Sequence, residues 1–277
     1  MDIKKFIKLS IEEDCHDGDH TSLACIHGES IGRAKLLVKE GGIIAGVELA
    51  EMIFNEIDAN IKFNKLISDG QKINKNDIVF TIEGSERNIL KSERLVLNCM
   101  QRMSGIATIT SKYVAQIKDL NTKILDTRKT TPLNRAIEKW AVKIGGGYNH
   151  RFGLFDMILI KDNHIDYCGG VEQAINATNN YLKNNNLDLK IEIETRSLAE
   201  LEQVLKVGSV NRIMLDNFDV DELKHAVEMV NNKYETEASG GITLETIRSY
   251  ALTGVDFISV GALTHSVKSI DLSLKAE

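Results

Sequence analysis

KIEIET, Lys190 to Thr195, runs into SLAELEQVLKVG, Ser197 to Gly208: a short strand pattern and then a helical one. The same alternation starts at Lys123 and continues almost to the end of the chain. KILDT (Lys123–Thr127) precedes RAIEKWAVKIG (Arg135–Gly145), and DMILIKD (Asp156–Asp162) precedes VEQAINATNNYL (Val171–Leu182). RIMLDN (Arg212–Asn217) precedes DVDELKHAVEMVNN, YETEASGG (Tyr234–Gly241) precedes TLETIRSYALTG, and DFISVG (Asp256–Gly261) closes the series. Short apolar strands alternating with helices imply parallel βαβ units. Six such strands without a second nucleotide-type half favour a barrel over an open doubly wound sheet.

The first hundred residues follow another rule. Arg33 to Phe54 reads as a strand, a glycine-containing turn and an apolar helix. Ile61 to Gly84 alternates apolar and polar residues around Asp69-Gly70 and Asn76-Asp77, as antiparallel strands with turns do. Ser85 to Leu120 carries apolar residues at helical spacing and is expected to form two helices joined at Gly105. The fold class is therefore α/β, with one domain over 1–110 and a barrel over 111–277.

With 277 residues there is ample material for a large core. A formal net charge of −6 argues against a general nucleic-acid binder, which selects for a basic surface. No apolar run approaches membrane length. Cys15, Cys25, Cys99 and Cys168 show neither a C-x-x-C pair nor zinc spacing, and read as reduced thiols of a cytoplasmic protein.

Nearly every strand of the second half ends in polar residues: Asp126-Thr127-Arg128, Lys161-Asp162-Asn163, Glu194-Thr195-Arg196, Asp216-Asn217, Ser239-Gly240-Gly241 and Ser259-Val260-Gly261. In an α/β barrel those ends form the active face. Ser239-Gly240-Gly241 and Ser259 to Ala262 are the last two, and tandem glycine loops there suit a phosphate, with helix N-termini expected behind them. Arg128, Lys129, Arg151 and Lys161 supply cations for carboxylates or phosphates. The chain's only proline, Pro132, fixes the loop after the DTRKTT run. His150 suits a neutral hydrogen-bonding role. Glu194 and Asp216, closing adjacent strands, can hold Mg²⁺ directly or through water, or stabilise a positive charge developing on a sugar. Glu192 shares the inward side by strand alternation and reads as a buried partner.

Two other clusters are weaker. EDCHDGDHTS (Glu13–Ser22) is rich in metal-type side chains, yet its spacing does not fit a calcium loop and reads better as turn and helix-cap chemistry. Gly145-Gly146-Gly147 follows a helix and not a strand, unlike a nucleotide loop.

DTRKTTP, EKWAVKIGGGYNHR, LIKDNHI, IEIET, LDNF, SGGI and ISVGA closely resemble, in order, the motifs of quinolinate phosphoribosyltransferase (decarboxylating), also called nicotinate-nucleotide pyrophosphorylase. SERLVLNCMQRMSGIAT and EDCHDGDHTS match as well, so the likeness covers about 12 to about 265. The resemblance implies a transferase that combines quinolinate with phosphoribosyl pyrophosphate. Its products are nicotinate mononucleotide, pyrophosphate and CO₂, with Mg²⁺, in NAD biosynthesis. It implies an N-terminal sandwich, completed by the C-terminal tail, beside an incomplete α/β barrel, paired as a homodimer. It gathers Arg128, Lys129, His150, Arg151 and Lys161 around quinolinate and the ribosyl donor, with Lys129, Lys161, Glu194 and Asp216 as the catalytic set. Arg94 matches an arginine reaching across the dimer, and Glu194 and Asp216 match an acidic pair at ribose and metal. Ser239, Gly240, Gly241, Ser259, Gly261 and Ala262 match the phosphate-binding ends. A paralogue acting on another anionic aromatic acid is the alternative. Where the family continues RKTTP with glycine and an apolar residue before arginine, this chain has Leu133-Asn134-Arg135.

Overall fold

The computed structural model describes residues 2–277 and divides the chain into two compact units. The first comprises Met1–Ser111, Thr130–Gly146 and Leu263–Glu277; the second comprises Lys112–Lys129 and Gly147–Ala262. Neither unit is a contiguous segment. The stretch Thr130–Gly146, which begins at the first threonine of the RKTT run, and the C-terminal tail both belong with the N-terminal part.

The first unit begins with helices α1 (Ile3–Cys15) and α2 (His20–Cys25). Asp19 caps α2 by accepting from the Ser22 N–H at 3.1 Å, so the acidic N-terminal cluster is helix-cap chemistry as its composition suggested. The strands are β1 (Ile31–Val38), β2 (Gly42–Ile43), β3 (Lys62–Lys65), β4 (Lys72–Ile73) and β5 (Ile78–Ser85), with α3 (Val47–Ile57) between β2 and β3. In β1, Ala34, Leu36 and Val38 are buried while their neighbours face outward, the two-residue period of a half-buried strand. Phe54 from α3 packs with Phe63 and Phe80 from the sheet, ring centroids 4.6–6.1 Å apart.

Helix α4 (Glu86–Gln116) is one continuous helix of 31 residues, so the expected break at Gly105 does not occur. Glycine is there for packing: a Cβ at Gly105 would collide with the Lys268 carbonyl. Helix α5 (Arg135–Ile144) buries Ile137, Ala141 and Val142 on one face.

The second unit holds a six-stranded parallel sheet made of β6 (Lys123–Leu125), β7 (Ile158–Ile160), β8 (Ile191–Thr195), β9 (Arg212–Asp216), β10 (Glu235–Ser239) and β11 (Phe257–Ser259). Its order, β6-β11-β10-β9-β8-β7, is sequential except that β6 returns beside β11, as expected of an incomplete barrel. The helices between are α6 (Asp162–Cys168), α7 (Val171–Asn185), α8 (Leu198–Val207), α9 (Val220–Val230) and α10 (Ile247–Ala251). Strand β8 is buried on both faces, so its two glutamates lie inside protein. After the short α11 (Ala262–His265), β12 (Leu272–Ala276) pairs antiparallel with β1 and completes the four-stranded sheet β12-β1-β5-β3 of the first unit. Among the described residues no helix is long and apolar enough to cross a membrane.

Candidate active site

The polar ends of the parallel strands converge because parallel strands share one direction. At the end of β6, Asp126 is fully buried. Its carboxylate accepts from the His150 backbone N–H at 2.9 Å and from Asn149 Nδ2 at 2.5 Å. Its own N–H donates to the Tyr148 carbonyl at 3.1 Å. One buried acid thus ties the two cationic segments, DTRK and NHR, together. Arg128 and Lys129, just beyond it, are exposed.

Arg151 is only 9% exposed and donates from Nη1 to the Met157 carbonyl at 3.1 Å. Burial, then the nearby Arg128 guanidinium, lowers its affinity for its proton. The pair sets a buried guanidinium near an exposed one, an arrangement that can receive a carboxylate or phosphate.

Lys161 follows β7 and caps α6, a helix the sequence reading passed over; its N–H donates to His164 Nδ1 at 2.9 Å. Its ammonium stands 2.7 Å from Glu194 Oε2 at the end of β8. Asp216 ends β9 and accepts from Asn217 Nδ2 at 2.6 Å. Ser239 ends β10, and Gly240 and Gly241 continue with φ of 99° and 60°. A Cβ at Gly240 would clash with the Asn217 side chain and lie 2.9 Å from its backbone nitrogen, so that turn requires glycine. Ser259 is buried, with Gly261 and Ala262 following it. The helices behind these two loops, α10 and α11, have five and four residues. The loops therefore offer close backbone approach more than a strong helix dipole, which weakens over such short runs.

Arg128, Lys129, His150, Arg151, Lys161, Glu194, Asp216 and the two glycine loops all lie in the second unit, at or beside its strand ends. Arg94 lies in the first unit, exposed on α4.

Inside the barrel, beneath those ends, lies a charged group that the sequence reading caught only in part. Glu192 and Glu237 are both fully buried. Burial pushes Glu192 up to about 7; burial and then repulsion from Glu192 push Glu237 up to about 8. Arg212 of β9 donates from Nη1 to Glu237 Oε2 at 3.0 Å and from Nη2 to Glu235 Oε2 at 3.0 Å, and it stacks 3.9 Å from the Phe257 ring. The clue in the sequence was alternation: Glu192 and Glu194 share a side of β8, as do Glu235 and Glu237 on β10.

Comparison with known sequences fits this layout. Residues 106–275 match the profile for the quinolinate phosphoribosyl transferase C-terminal domain, and residues 19–104 match that for the N-terminal domain. The chain belongs to the quinolinate phosphoribosyltransferase family. Quinolinate phosphoribosyltransferase [decarboxylating] 1b of Nicotiana tabacum is 48% identical over 291 residues, spanning 100% of this chain and 83% of the relative. The probable nicotinate-nucleotide pyrophosphorylase [carboxylating] of Bacillus subtilis (strain 168) is 41% identical, spanning 99% and 93%. Among solved structures, NadC from Streptococcus pyogenes superposes with a TM-score of 0.92 at 38% identity, covering 99% of this chain and 95% of that one. The nicotinate-nucleotide pyrophosphorylase from Ehrlichia chaffeensis gives 0.93 at 34% identity, covering 100% and 99%.

The family's long DTRKTTP motif has a local mechanical explanation. Glu138 of α5, fully buried, accepts from the Thr131 N–H at 3.2 Å and from Arg102 Nε and Nη2 at 3.1 and 3.0 Å. Arg135 Nε donates to Thr130 Oγ1 at 3.0 Å. Helix α5 thus grips both threonines that follow the cationic pair. Leu133 sits at φ 66°.

Proposed function

We propose that this chain transfers the phosphoribosyl group of phosphoribosyl pyrophosphate to quinolinate with loss of CO₂, yielding nicotinate mononucleotide and pyrophosphate. The observation that carries this reading is the gathering of Arg128, Lys129, Arg151 and Lys161 around strand ends in a chain of net charge −6. Quinolinate is a planar dicarboxylate and its co-substrate carries several phosphate charges. Joining them calls for a local excess of cations that the rest of the surface need not share.

In this reading Arg128 and Arg151 seat the carboxylates of quinolinate, and Lys129 and Lys161 neutralise charge at the ribosyl donor. His150 stands with Arg151 in orienting the acid. The Ser239–Gly241 and Ser259–Ala262 loops hold phosphate through backbone N–H groups. The pyridine nitrogen then attacks the anomeric carbon as pyrophosphate departs, through an oxocarbenium-like transition state that Glu194 and Asp216 stabilise by charge. Positioning counts for more than a strong base. Ribosylation leaves the ring nitrogen cationic. The C–CO₂ bond can then break with its electron pair held beside N⁺, and a proton takes the place of CO₂.

Glu194 and Asp216 suit Mg²⁺, which prefers a few hard oxygen ligands and keeps its remaining positions for water and substrate phosphates. Glu194 Oε2 stands 2.7 Å from the Lys161 ammonium, so that oxygen already faces a cation. When bound, Mg²⁺ supplies charge neutralisation on the departing pyrophosphate. A homodimer in which Arg94 reaches the neighbouring subunit's site completes the proposal. Residence in the cytoplasm is supported by four cysteines that form no disulfide.

The test is an assay with quinolinate, phosphoribosyl pyrophosphate and Mg²⁺ that follows nicotinate mononucleotide by mass and CO₂ by label, with nicotinate in parallel. Stoichiometric mononucleotide and CO₂ from quinolinate alone support the proposal. Turnover of nicotinate without CO₂, or silence with quinolinate, overturns it.

A further inference from the structure

His150 is approached from below by the two acids inside the barrel. Its Nε2 lies 2.9 Å from Glu192 Oε2 and 3.4 Å from Glu237 Oε2. The Glu192 contact is a close approach off the ideal hydrogen-bond line. On the other side of the ring, Nδ1 accepts the Arg151 backbone N–H at 2.7 Å. A neutral imidazole carries one donor and one acceptor. With Nδ1 accepting, the proton sits on Nε2, the nitrogen facing the acids. A ring turned the other way would take the acceptor from the Arg151 N–H and leave the acid oxygens below without the ring N–H they face. The acids therefore select both the tautomer and the orientation.

The same three side chains bring one ligand atom each within 4.8 Å of one another, as a cation site would. The Arg212 guanidinium already fills that role, since it is bound to Glu237 and stands opposite Glu192 in the strand register. The chain of contacts runs upward instead, from Arg212 to the acids, to His150, to the Arg151 peptide, while Asp126 holds the His150 N–H.

We propose that Glu192 and Glu237 are positioning residues that fix the His150 ring and, through Nδ1, the peptide carrying Arg151, so that the guanidinium is aimed before substrate arrives. This rests on the reading of Arg151 as a seat for a quinolinate carboxylate. It adds two buried groups, neither of which touches substrate, to the determinants of substrate affinity.

The experiment uses the full chain carrying E192Q and E237Q together, because glutamine keeps shape while replacing one acceptor oxygen of each acid with an NH₂ group. Nitrogen chemical shifts of ¹⁵N-histidine-labelled protein, with His150 assigned by substitution, report the tautomer without needing turnover. Failure of this proposal is thereby distinguishable from failure of the proposed reaction. The expected result is loss of the Nε2–H tautomer signature, with a rise of about tenfold in KM for quinolinate, equivalent to about 1.4 kcal/mol. KM for phosphoribosyl pyrophosphate and the melting temperature should not worsen. Unchanged His150 shifts overturn the proposal, and so does an unchanged quinolinate KM. So does an equal loss of affinity for both substrates with a lowered melting temperature. If the double variant does not fold, H150N and H150A take its place. Asparagine offers an acceptor near the position of Nδ1, so it should recover part of the quinolinate affinity lost in H150A; equal losses overturn the proposal.

Discussion

Lys161 Nζ and Glu194 Oε2 stand 2.7 Å apart, the lysine half exposed and the glutamate nearly buried. Anything anionic that takes the lysine must compete with that carboxylate or share the cation with it. Removing the lysine does more than delete a ligand, because it leaves an acid with little solvent and no counter-charge. K161A should lose about 3 kcal/mol in kcat/KM, or more than a hundredfold. Steady-state kinetics at saturating Mg²⁺ check this, and a loss under fivefold would remove Lys161 from the site.

The dimer proposal predicts complementation. R94A and K129A are each expected to be inactive. Refolded together in equal amounts they should regain about a quarter of wild-type activity, because half the dimers are mixed and each of those has one intact site. No recovery, with mixed dimers confirmed by native mass spectrometry, would place Arg94 in its own subunit's chemistry or in none.

Arg102, partly exposed, and Glu138, fully buried, form an ion pair that also anchors Thr131. R102M should destabilise the fold by about 3–5 kcal/mol, because it strands a fully buried carboxylate. E138Q should cost less, because it keeps one acceptor oxygen and the Arg102 it leaves is partly exposed. Denaturant titration ranks the two.

Leu133 holds a left-handed backbone with its side chain 73% exposed, so packing does not repay the strain. L133G should raise stability by roughly 0.5–1 kcal/mol, the relief of that strain offset in part by glycine's larger unfolded-state entropy. Thermal melts show whether the sign is right.

Glu237 titrates near 8 when folded and near the ordinary carboxylate value when unfolded. The folded chain therefore binds the extra proton between those two values, and stability should fall as pH rises through that window, levelling off above about 8. E237Q, with no proton to lose, should show a shallower decline between pH 5 and pH 8. Parallel melting curves for the two proteins would contradict the shift.

The parallel half of the molecule was legible because each strand is short, apolar and followed by a helix, and because its polar residues cluster at one end. Arg128, Lys129, Lys161, Glu194 and Asp216 stood out for that reason alone. Helix α4 was misjudged at Gly105 because glycine there answers to a distant contact, the Lys268 carbonyl, which no local pattern announces. Arg94, exposed on that helix, carries no local signal of function, and family likeness alone singled it out. Glu237 went unremarked because its partners, His150 and Arg212, come from segments remote in sequence; only closure of the strands brings them together.

Strand β12 pairs with β1 across the whole length of the chain. During synthesis the first unit's sheet cannot acquire its last strand until the entire barrel has left the ribosome. The sheet edge at β1 stays open for all of that time, a nascent surface that invites wrong pairing. The early half of the chain therefore waits on the late half, and a chaperone's protection would be most useful to the strand made first.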